Sequence, residues 1–230
     1  MKPSIFVVED DADILHLVQH HLSGAGYLVK GFPSASSVLS EASKHVPALF
    51  LLDIMLPGMD GMELARRIRQ EPQLAHVPLI FVTAKGAEAE RIQGLEIGAD
   101  DYITKPFSPR ELVARVKAVL RRFERPLEPS SLSVGDLEID SGAMVLRVKG
   151  KAVPTTATEF RLLDYLARHP QRVFTRDQIL DAVWRDTAFV TPRSVDVYVR
   201  RIREKIEKDA ENPRYLRTVR GAGYRFEAPK

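Results

Sequence analysis

The 230-residue chain has no cysteine, so disulfides, thiolate metal sites and thiol catalysis are excluded. It also lacks a long apolar run: nothing approaches the roughly 18 consecutive apolar residues of a membrane-crossing helix. The first apolar run meets Glu9 and Asp10 too early for a signal peptide, so a cytoplasmic protein with no membrane partner is expected. Aromatic residues are sparse at 7%, with a single tryptophan, Trp184. No internal repeat or low-complexity tract is present. What remains, 44% hydrophobic and 28% charged residues, is the composition of a folded domain or two. The net charge is only +3, yet it is unevenly spread. Residues 1–123 carry 14 Lys and Arg against 15 Asp and Glu, whereas residues 190–225 carry 10 against 5. A basic stripe of that kind suits a binder of phosphate backbones, although most charge runs are only solvated faces.

In the first half, short continuous apolar runs at 5–8, 48–52, 79–82 and around Tyr102 and Ile103 alternate with helical patterns, and a weaker run lies at 27–30. Runs that are continuous rather than alternating belong to strands buried on both faces of a parallel sheet. Between them, Ile14, Val18 and Leu22 make one helical stripe and Leu64 and Ile68 another, and a third helix is read from about 87 to 97. Ser108 and Pro109 supply a cap and first-turn proline for a fourth, running through Leu112, Val116 and Val119. The best fit is an α/β, flavodoxin-like, doubly wound parallel sheet of five strands over residues 1–123. Residues 124–131, rich in proline and serine, read as a linker.

From 132 to 230 the pattern changes to an α+β domain. Strand-like pieces come first, with turns at Gly135-Asp136, Ser141-Gly142 and Gly150-Lys151. Thr156-Ala-Thr-Glu159 then reads as a capping box before a helix bearing Phe160, Leu163 and Leu166. A second helix is expected from Thr175 to Trp184 and a third from Pro192 or Arg193 to about Lys208, followed by a hairpin around Gly221-Ala-Gly223.

Chemistry concentrates at the strand ends of the first half. Glu9, Asp10 and Asp11 follow the first strand, Asp53 the third, Thr83 the fourth and Lys105 the fifth. Open parallel sheets bind ligands at this edge, so these groups should meet there. Converging carboxylates repel one another, and a divalent cation with oxygen ligands, Mg2+, would neutralise them. A carboxylate beside such an ion can take up a phosphoryl group, with Lys105 and Thr83 placed to bind its oxygens. Any one of these acids alone would be read as a solvated loop residue; the full set is what carries the reading.

Val7-Val-Glu-Asp-Asp11, Leu52-Asp-Ile-Met-Leu-Pro-Gly-Met-Asp-Gly61, Val82-Thr-Ala84 and Gly98-Ala-Asp-Asp-Tyr-Ile-Thr-Lys-Pro-Phe107 resemble the receiver-domain signatures of response regulators. The resemblance implies that Asp53 is the phosphoacceptor, and that Glu9, Asp10, Asp53 and the backbone carbonyl of Met55 hold Mg2+. It further implies that Thr83 and Lys105 bind the phosphoryl group, that Lys105-Pro106 is cis, and that Tyr102 is an aromatic switch swinging inward as Thr83 moves. A sensor histidine kinase would be the donor. The alternative for Tyr102 is an ordinary strand aromatic.

In the second half, Pro192-Arg-Ser-Val-Asp-Val-Tyr-Val-Arg-Arg-Ile-Arg-Glu-Lys-Ile206 sets an apolar stripe (Val195, Val199, Ile202, Ile206) against an arginine-rich side. That suits a helix in a DNA major groove, and equally a solvated amphipathic helix with pairs such as Arg200–Glu204. Arg217-Thr-Val-Arg-Gly-Ala-Gly-Tyr-Arg-Phe226 moves the balance, because it resembles the wing of OmpR/PhoB-family transcription factors. Glu159-Phe-Arg-Leu-Leu163, Arg172-Val-Phe-Thr-Arg-Asp-Gln-Ile-Leu180 and Ala182-Val-Trp184 fit the same family. The resemblance implies a winged helix-turn-helix domain and promoter DNA, in repeated half-sites, as partner. Its DNA contacts would be Arg193, Ser194, Val197, Tyr198, Arg200, Arg201 and Arg203, with Thr218 and Arg220 on the wing. Tyr198 is bulky for a groove-facing position. The 184–191 loop, with Arg185 and Phe189, resembles a segment that meets RNA polymerase in some relatives.

A homodimer formed on phosphorylation would use a charged face from which Arg91, Glu96, Asp100, Asp101, Glu111, Arg115 and Lys117 are candidates. Two rival readings carry less. An aspartyl-phosphate phosphatase needs a second acid two residues after the nucleophile, where this chain has Met55, and the chain is not expected to be an enzyme. A constitutive DNA binder would have no use for the intact acidic set. His16 and His20, four apart, are expected on a solvated helix face rather than on a metal.

Overall fold

The computed structural model describes residues 2–84, 93–94, 96–124, 131–184 and 191–228, except the side chains of residues 123 and 124. The chain divides into two compact units, Met1–Phe123 and Glu124–Lys230.

The first unit is built on five parallel strands, β1 (Ser4–Val8), β2 (Leu28–Phe32), β3 (Leu49–Asp53), β4 (Leu79–Ala84) and β5 (Asp101–Lys105), in the order β2-β1-β3-β4-β5. The reversal of direction on either side of β1 is the doubly wound arrangement expected from the sequence. Period-two alternation explains why the strands read as unbroken apolar runs. Ile5, Val7, Leu49, Leu51, Ile80, Val82 and Ile103 face α1 (Ala12–Gly24) and the helix Pro109–Glu124, packing on Val18, Leu22, Leu112, Val116 and Val119. Phe6 and Phe50 alternate with them, and Phe6 packs on Phe32 and Phe50. Both faces are therefore dry. The edge strand β2 is the exception: its burial alternates, and it lies one to two residues later than its weak apolar signal suggested.

The helices of this unit start where the sequence provides caps. The Asp11 carboxylate accepts from Asp13 N and Ile14 N to open α1, and Asp60 accepts from Glu63 N to open α3 (Gly61–Gln70). Between β2 and β3 the chain makes a 3-10 turn, Ala35–Ser37, and then α2 (Val38–Lys44), an element absent from the sequence reading. Of the helix read at 87–97, residues 93, 94, 96 and 97 are helical and the rest lie outside the described residues. Pro109–Glu124 is α4.

The second unit opens with a four-stranded antiparallel sheet, β6 (Ser131–Val134), β7 (Leu137–Asp140), β8 (Val145–Val148) and β9 (Lys151–Val153). Three helices follow: α5 (Ala157–Ala167), α6 (Arg176–Val183) and α7 (Pro192–Ile206). The first two open on threonine capping boxes, Thr156 with Glu159 and Thr175 with Gln178, while at the start of α7 the Ser194 hydroxyl accepts the Thr191 N–H. The last sheet has the order β10-β12-β11, in which β11 (Leu216–Val219) and β12 (Gly223–Phe226) form the expected hairpin and β10 (Val173–Phe174) adds a two-residue strand. A Cβ on Gly223 would lie 2.0 Å from the Phe174 carbonyl oxygen, so only glycine lets β12 lie this close to β10. Residues 125–130, expected from the sequence as linker, and residues 185–190, including Arg185 and Phe189, lie outside the described residues.

Candidate functional site

The parallel register brings the strand ends of the first unit level. Asp53 pairs with Val82, Thr83 with Thr104, and Ala84 with Lys105, while Glu9 directly follows β1 and donates its N–H to Phe32 O. Carboxylate oxygens of Glu9, Asp10 and Asp53 lie within 4.8 Å of one another. The Lys105 ammonium donates to Asp53 Oδ2 at 2.5 Å and to Glu9 Oε1 at 2.8 Å. The other Asp53 oxygen accepts the Met55 N–H at 2.9 Å, which fixes the carboxylate's rotation. Glu9, Asp53 and Thr83 are buried, whereas Asp10 and Met55 are exposed.

The electrostatics follow from that geometry. Burial pushes the Glu9 carboxyl up to about 7, with Lys105 opposing the rise and Asp53 adding to it. Burial alone would lower Lys105, but its hydrogen bonds to Asp53 and Glu9 outweigh this and raise it above the ordinary lysine value. One ammonium facing three carboxylates leaves a negative excess. The donors are all oxygen, and one of the carboxylates is open to water, which is the set a hard divalent cation takes. Gly61 sits directly behind the site: a Cβ there would lie 2.0 Å from the Asp53 carbonyl oxygen. Gly61 ends the 52–61 motif, and nothing in its sequence position alone reveals this close approach.

Thr83 lies beside Asp53's neighbour in β4, and its hydroxyl donates to Ala84 O at 3.3 Å. Tyr102 is buried, with its ring 5.7 Å from that of Phe81 and its hydroxyl against Gly94, so its side chain already points inward.

In the second unit, α7 buries Val195, Val199, Ile202 and Ile206 as its spacing required, and Arg193, Val197 and Arg200 lie along the open side. Arg200 pairs with Glu204 at 3.1 Å. Two further arginines are drawn inward: Arg201 to Glu159 at 2.6 Å, and Arg203 to Leu216 O at 2.8 Å and Thr218 Oγ1 at 2.7 Å. Glu159 is fully buried and also meets Lys205 at 2.5 Å. Burial would raise its carboxyl, but Arg201, Lys205 and the Thr156 N–H overcome this and hold it below the usual range. A second polar cluster fastens α7 to the wing. Asp196 accepts from Arg176 at 2.7 Å and from the Tyr224 hydroxyl at 2.6 Å, and the Arg176 guanidinium lies 5.0 Å from the Tyr224 ring centre. Burial and Asp196 push the Tyr224 hydroxyl up to about 12, so it remains a donor. Thr218 and Arg220 are exposed on the hairpin.

Comparison with known proteins gives two family matches, the response regulator receiver domain over residues 5–117 and the C-terminal domain of transcriptional regulatory proteins over residues 150–226. The phosphate regulon transcriptional regulatory protein PhoB of Rhizobium meliloti is 42% identical over 228 residues, covering 99% of this chain and all of that one. The chain belongs to the OmpR/PhoB family of response regulators. The DNA-binding response regulator MtrA of Mycolicibacterium smegmatis is 44% identical over 230 residues, covering 100% of this chain and 99% of the relative. Among solved structures, a RitR mutant superposes with a TM-score of 0.82 at 26% identity, covering 98% of this chain and 99% of that one. The OmpR/PhoB homologue DrrB of Thermotoga maritima gives 0.51 at 37% identity, covering 99% and 100%. Like its relatives, this OmpR/PhoB-family regulator is a phosphorylation-dependent, DNA-binding transcriptional regulator of a two-component system. Among the described residues no helix is long and apolar enough to cross a membrane.

Within that family assignment, several site residues sit differently from the sequence reading. Tyr198 is 0% exposed and packs on Trp184 at 5.0 Å, so it belongs to the core of the second unit and offers nothing to a groove. Ser194 is 3% exposed, and its hydroxyl is spent on the Thr191 N–H as the return half of the cap. Asp100 and Asp101 are each 1% exposed, so within this chain they sit inside the unit rather than open on its surface. Asp100 accepts from Leu79 N and lies 3.6 Å from Arg69, while Asp101 accepts from Tyr102 N and lies 3.6 Å from Arg115. Burial raises the Asp101 carboxyl, with Tyr102 N and Arg115 opposing. Arg115 also binds Glu111 at 2.8 Å, and Glu96 and Lys117 are exposed; Arg91 lies outside the described residues. Residues that the sequence reading missed are Glu159 as the anchor of α7, and Arg176, Asp196 and Tyr224 as its lock to the wing.

Proposed function

We propose that residues 1–123 act as the receiver and residues 132–230 as the effector, joined by 124–131, and that Asp53 takes its phosphoryl group from a sensor histidine kinase. The observation that carries this reading is Lys105, whose ammonium spans Asp53 and Glu9 at the strand ends with Asp10 alongside. Transfer makes a bond from an Asp53 carboxylate oxygen to phosphorus and breaks the bond from phosphorus to the donor nitrogen, which leaves as histidine. Lys105 keeps its proton and moves from pairing carboxylates to pairing a phosphoryl oxygen. Thr83 donates its hydroxyl to another oxygen and gives up its bond to Ala84 O. Mg2+ would be held by Glu9, Asp10, Asp53 and the Met55 carbonyl, and would supply charge neutralisation to the incoming phosphoryl group. The exposed Met55 side chain has no carboxyl to act as general acid, which favours a switch over a phosphatase.

Tyr102 relays the change at Thr83 to the surface around α4, where Glu96, Glu111, Arg115 and Lys117 form the dimer face. Single exposed pairs are worth about 0–1 kcal/mol, so dimerisation draws on several of them together. Two effectors then engage repeated half-sites in the cytoplasm through Arg193, Val197, Arg200, Thr218, Arg220 and the partly buried Arg201 and Arg203, and the 184–191 loop meets RNA polymerase.

The test is intact-protein mass after incubation with a small phosphodonor and magnesium. The wild type gains one phosphoryl group and Asp53→Asn gains none. A wild type that gains nothing, even from a cognate kinase, would reduce the first unit to a fixed module attached to a DNA-binding domain.

A further inference from the structure

Beside the groove-facing side of α7 lies a cavity of about 410 Å3 lined by Arg203, Asn212, Arg214, Arg217, Thr218 and Glu211. Arg203 and Thr218 already belong to the DNA-facing set, and their mutual hydrogen bond at 2.7 Å forms one wall. The opposite wall comes from the loop between α7 and β11, which no motif singled out. That loop is held by one carboxylate: Glu207 accepts the N–H groups of Arg214, Tyr215 and Leu216 at 2.7, 2.8 and 2.9 Å. Asp209 tightens the loop's start by accepting from Glu211 N and Asn212 Nδ2. Arg214 is exposed and in no ion pair among the described residues, and Arg217 has only Glu227 at 3.4 Å. Three guanidiniums, a hydroxyl and an amide against one carboxylate make a concave site for a phosphate oxygen.

We infer that this cavity takes a backbone phosphate of the bound duplex, so that Arg214 and Arg217 extend the DNA contact beyond α7 and the wing tip, with Glu207 as a positioning residue that holds Arg214 there. The inference rests on the DNA-binding reading of α7 and goes one step past it. A phosphodiester, rather than free phosphate, is the favoured occupant because the cavity is continuous with Arg203 and Thr218 on the helix and hairpin. Contacts of this type carry no sequence information; they set register and salt dependence.

The experiment measures affinity of the full chain for a mixed-sequence duplex across a salt series. Each lost phosphate contact should lower the slope of log K against log salt by about 0.9. Arg214→Ala is expected to remove one such step and Arg214→Ala/Arg217→Ala two. Glu207→Gln is expected to give an intermediate loss. Arg66→Ala, a basic residue of the first unit paired with Glu63, changes overall charge equally and should leave the slope alone. An unchanged slope in the double variant, or an equal drop in Arg66→Ala, overturns the inference. A thermal shift of the wild type by inorganic phosphate over chloride at equal ionic strength, lost in Arg214→Ala without any change in duplex binding, would make this a free-anion site and also overturn it. Should Arg200→Ala weaken binding while the pocket variants do not, the pocket alone falls. If the wild type binds no duplex, the DNA reading falls with it.

Discussion

The strand-end site of the first unit and the open face of α7 are both built from charge, but in opposite ways. At the strand ends, two buried carboxylates, one exposed carboxylate and one ammonium converge within a few ångströms, carried on strand ends that the parallel register brings level. On α7 the arginines are spread along a helix side, and those drawn inward, Arg201 and Arg203, are tied to neighbours while Arg193 and Arg200 stand in solvent. The first arrangement suits a reaction at one atom, where an ångström matters. The second suits a polyanion, where many weak contacts add and no single one is decisive. The two units should therefore fail differently when altered, and the variants below are ordered by expected size.

The largest effect is expected at Glu159, because there the α7 face borrows the buried convergence of the other site. Removing one partner from a buried ionic cluster costs about 3–5 kcal/mol; Arg201 and Lys205 keep some access to water, so Glu159→Gln should cost about 3 kcal/mol. Trp184, fully buried and the only tryptophan in the chain, reports unfolding of this unit alone. The sign of the pH effect is fixed by the lowered carboxyl. Its stabilisation is complete above the ordinary carboxyl value of 4.5 and is lost as pH falls through the lower folded value. Wild type and Glu159→Gln should therefore converge in urea midpoint below pH 4.5 and separate above it. A gap that widens on acidification would mean that the anchor of α7 is not ionic.

Gly61→Ala sharpens the other side of the comparison. The added methyl would meet the Asp53 carbonyl at 2.0 Å, and forced overpacking of this kind costs about 1–3 kcal/mol. The more telling readout is phosphorylation, which should slow markedly because the strand end carrying Asp53 has to shift. If stability falls and the phosphorylation rate does not, the strand-end site tolerates displacement and the contrast with α7 weakens.

How much of this could be read from the sequence also differs between the two regions. Strands buried on both faces announce themselves as continuous apolar runs, and the ends of those runs carried Glu9, Asp53, Thr83 and Lys105. The half-exposed edge strand β2 gave a blurred signal, and α2 and β10 are too short to express any period. On α7 the stripe was legible but its width was not. Tyr198 lies three residues after Val195 and four before Ile202, inside the stripe, and its hydroxyl drew it outward in the reading. Asp100 and Asp101 looked like surface acids because their partners, Leu79 N with Arg69 and Tyr102 N with Arg115, are supplied by tertiary structure. The same is true of Glu159, whose capping role was visible and whose two cations, some forty residues away, were not.

The smallest effect tests whether the α7 face is as distributed as it looks. Arg200 is exposed and among the described residues is bound to Glu204, an exposed pair whose loss should barely move stability. Arg200→Ala should therefore leave both the Trp184 unfolding curve and Asp53 phosphorylation unchanged while weakening DNA binding. If Arg200 grips a phosphate, the loss is the same on every sequence and the salt slope falls by about 0.9; if it reads a base, the loss is about 1–3 kcal/mol on the operator only and specificity relaxes at one position. A loss confined to one sequence would make α7 more like the strand-end site than its geometry suggests, with one residue at one point deciding the outcome. A uniform loss would leave specificity to Arg193, Val197 and the wing, and the contrast between convergence and spread would stand.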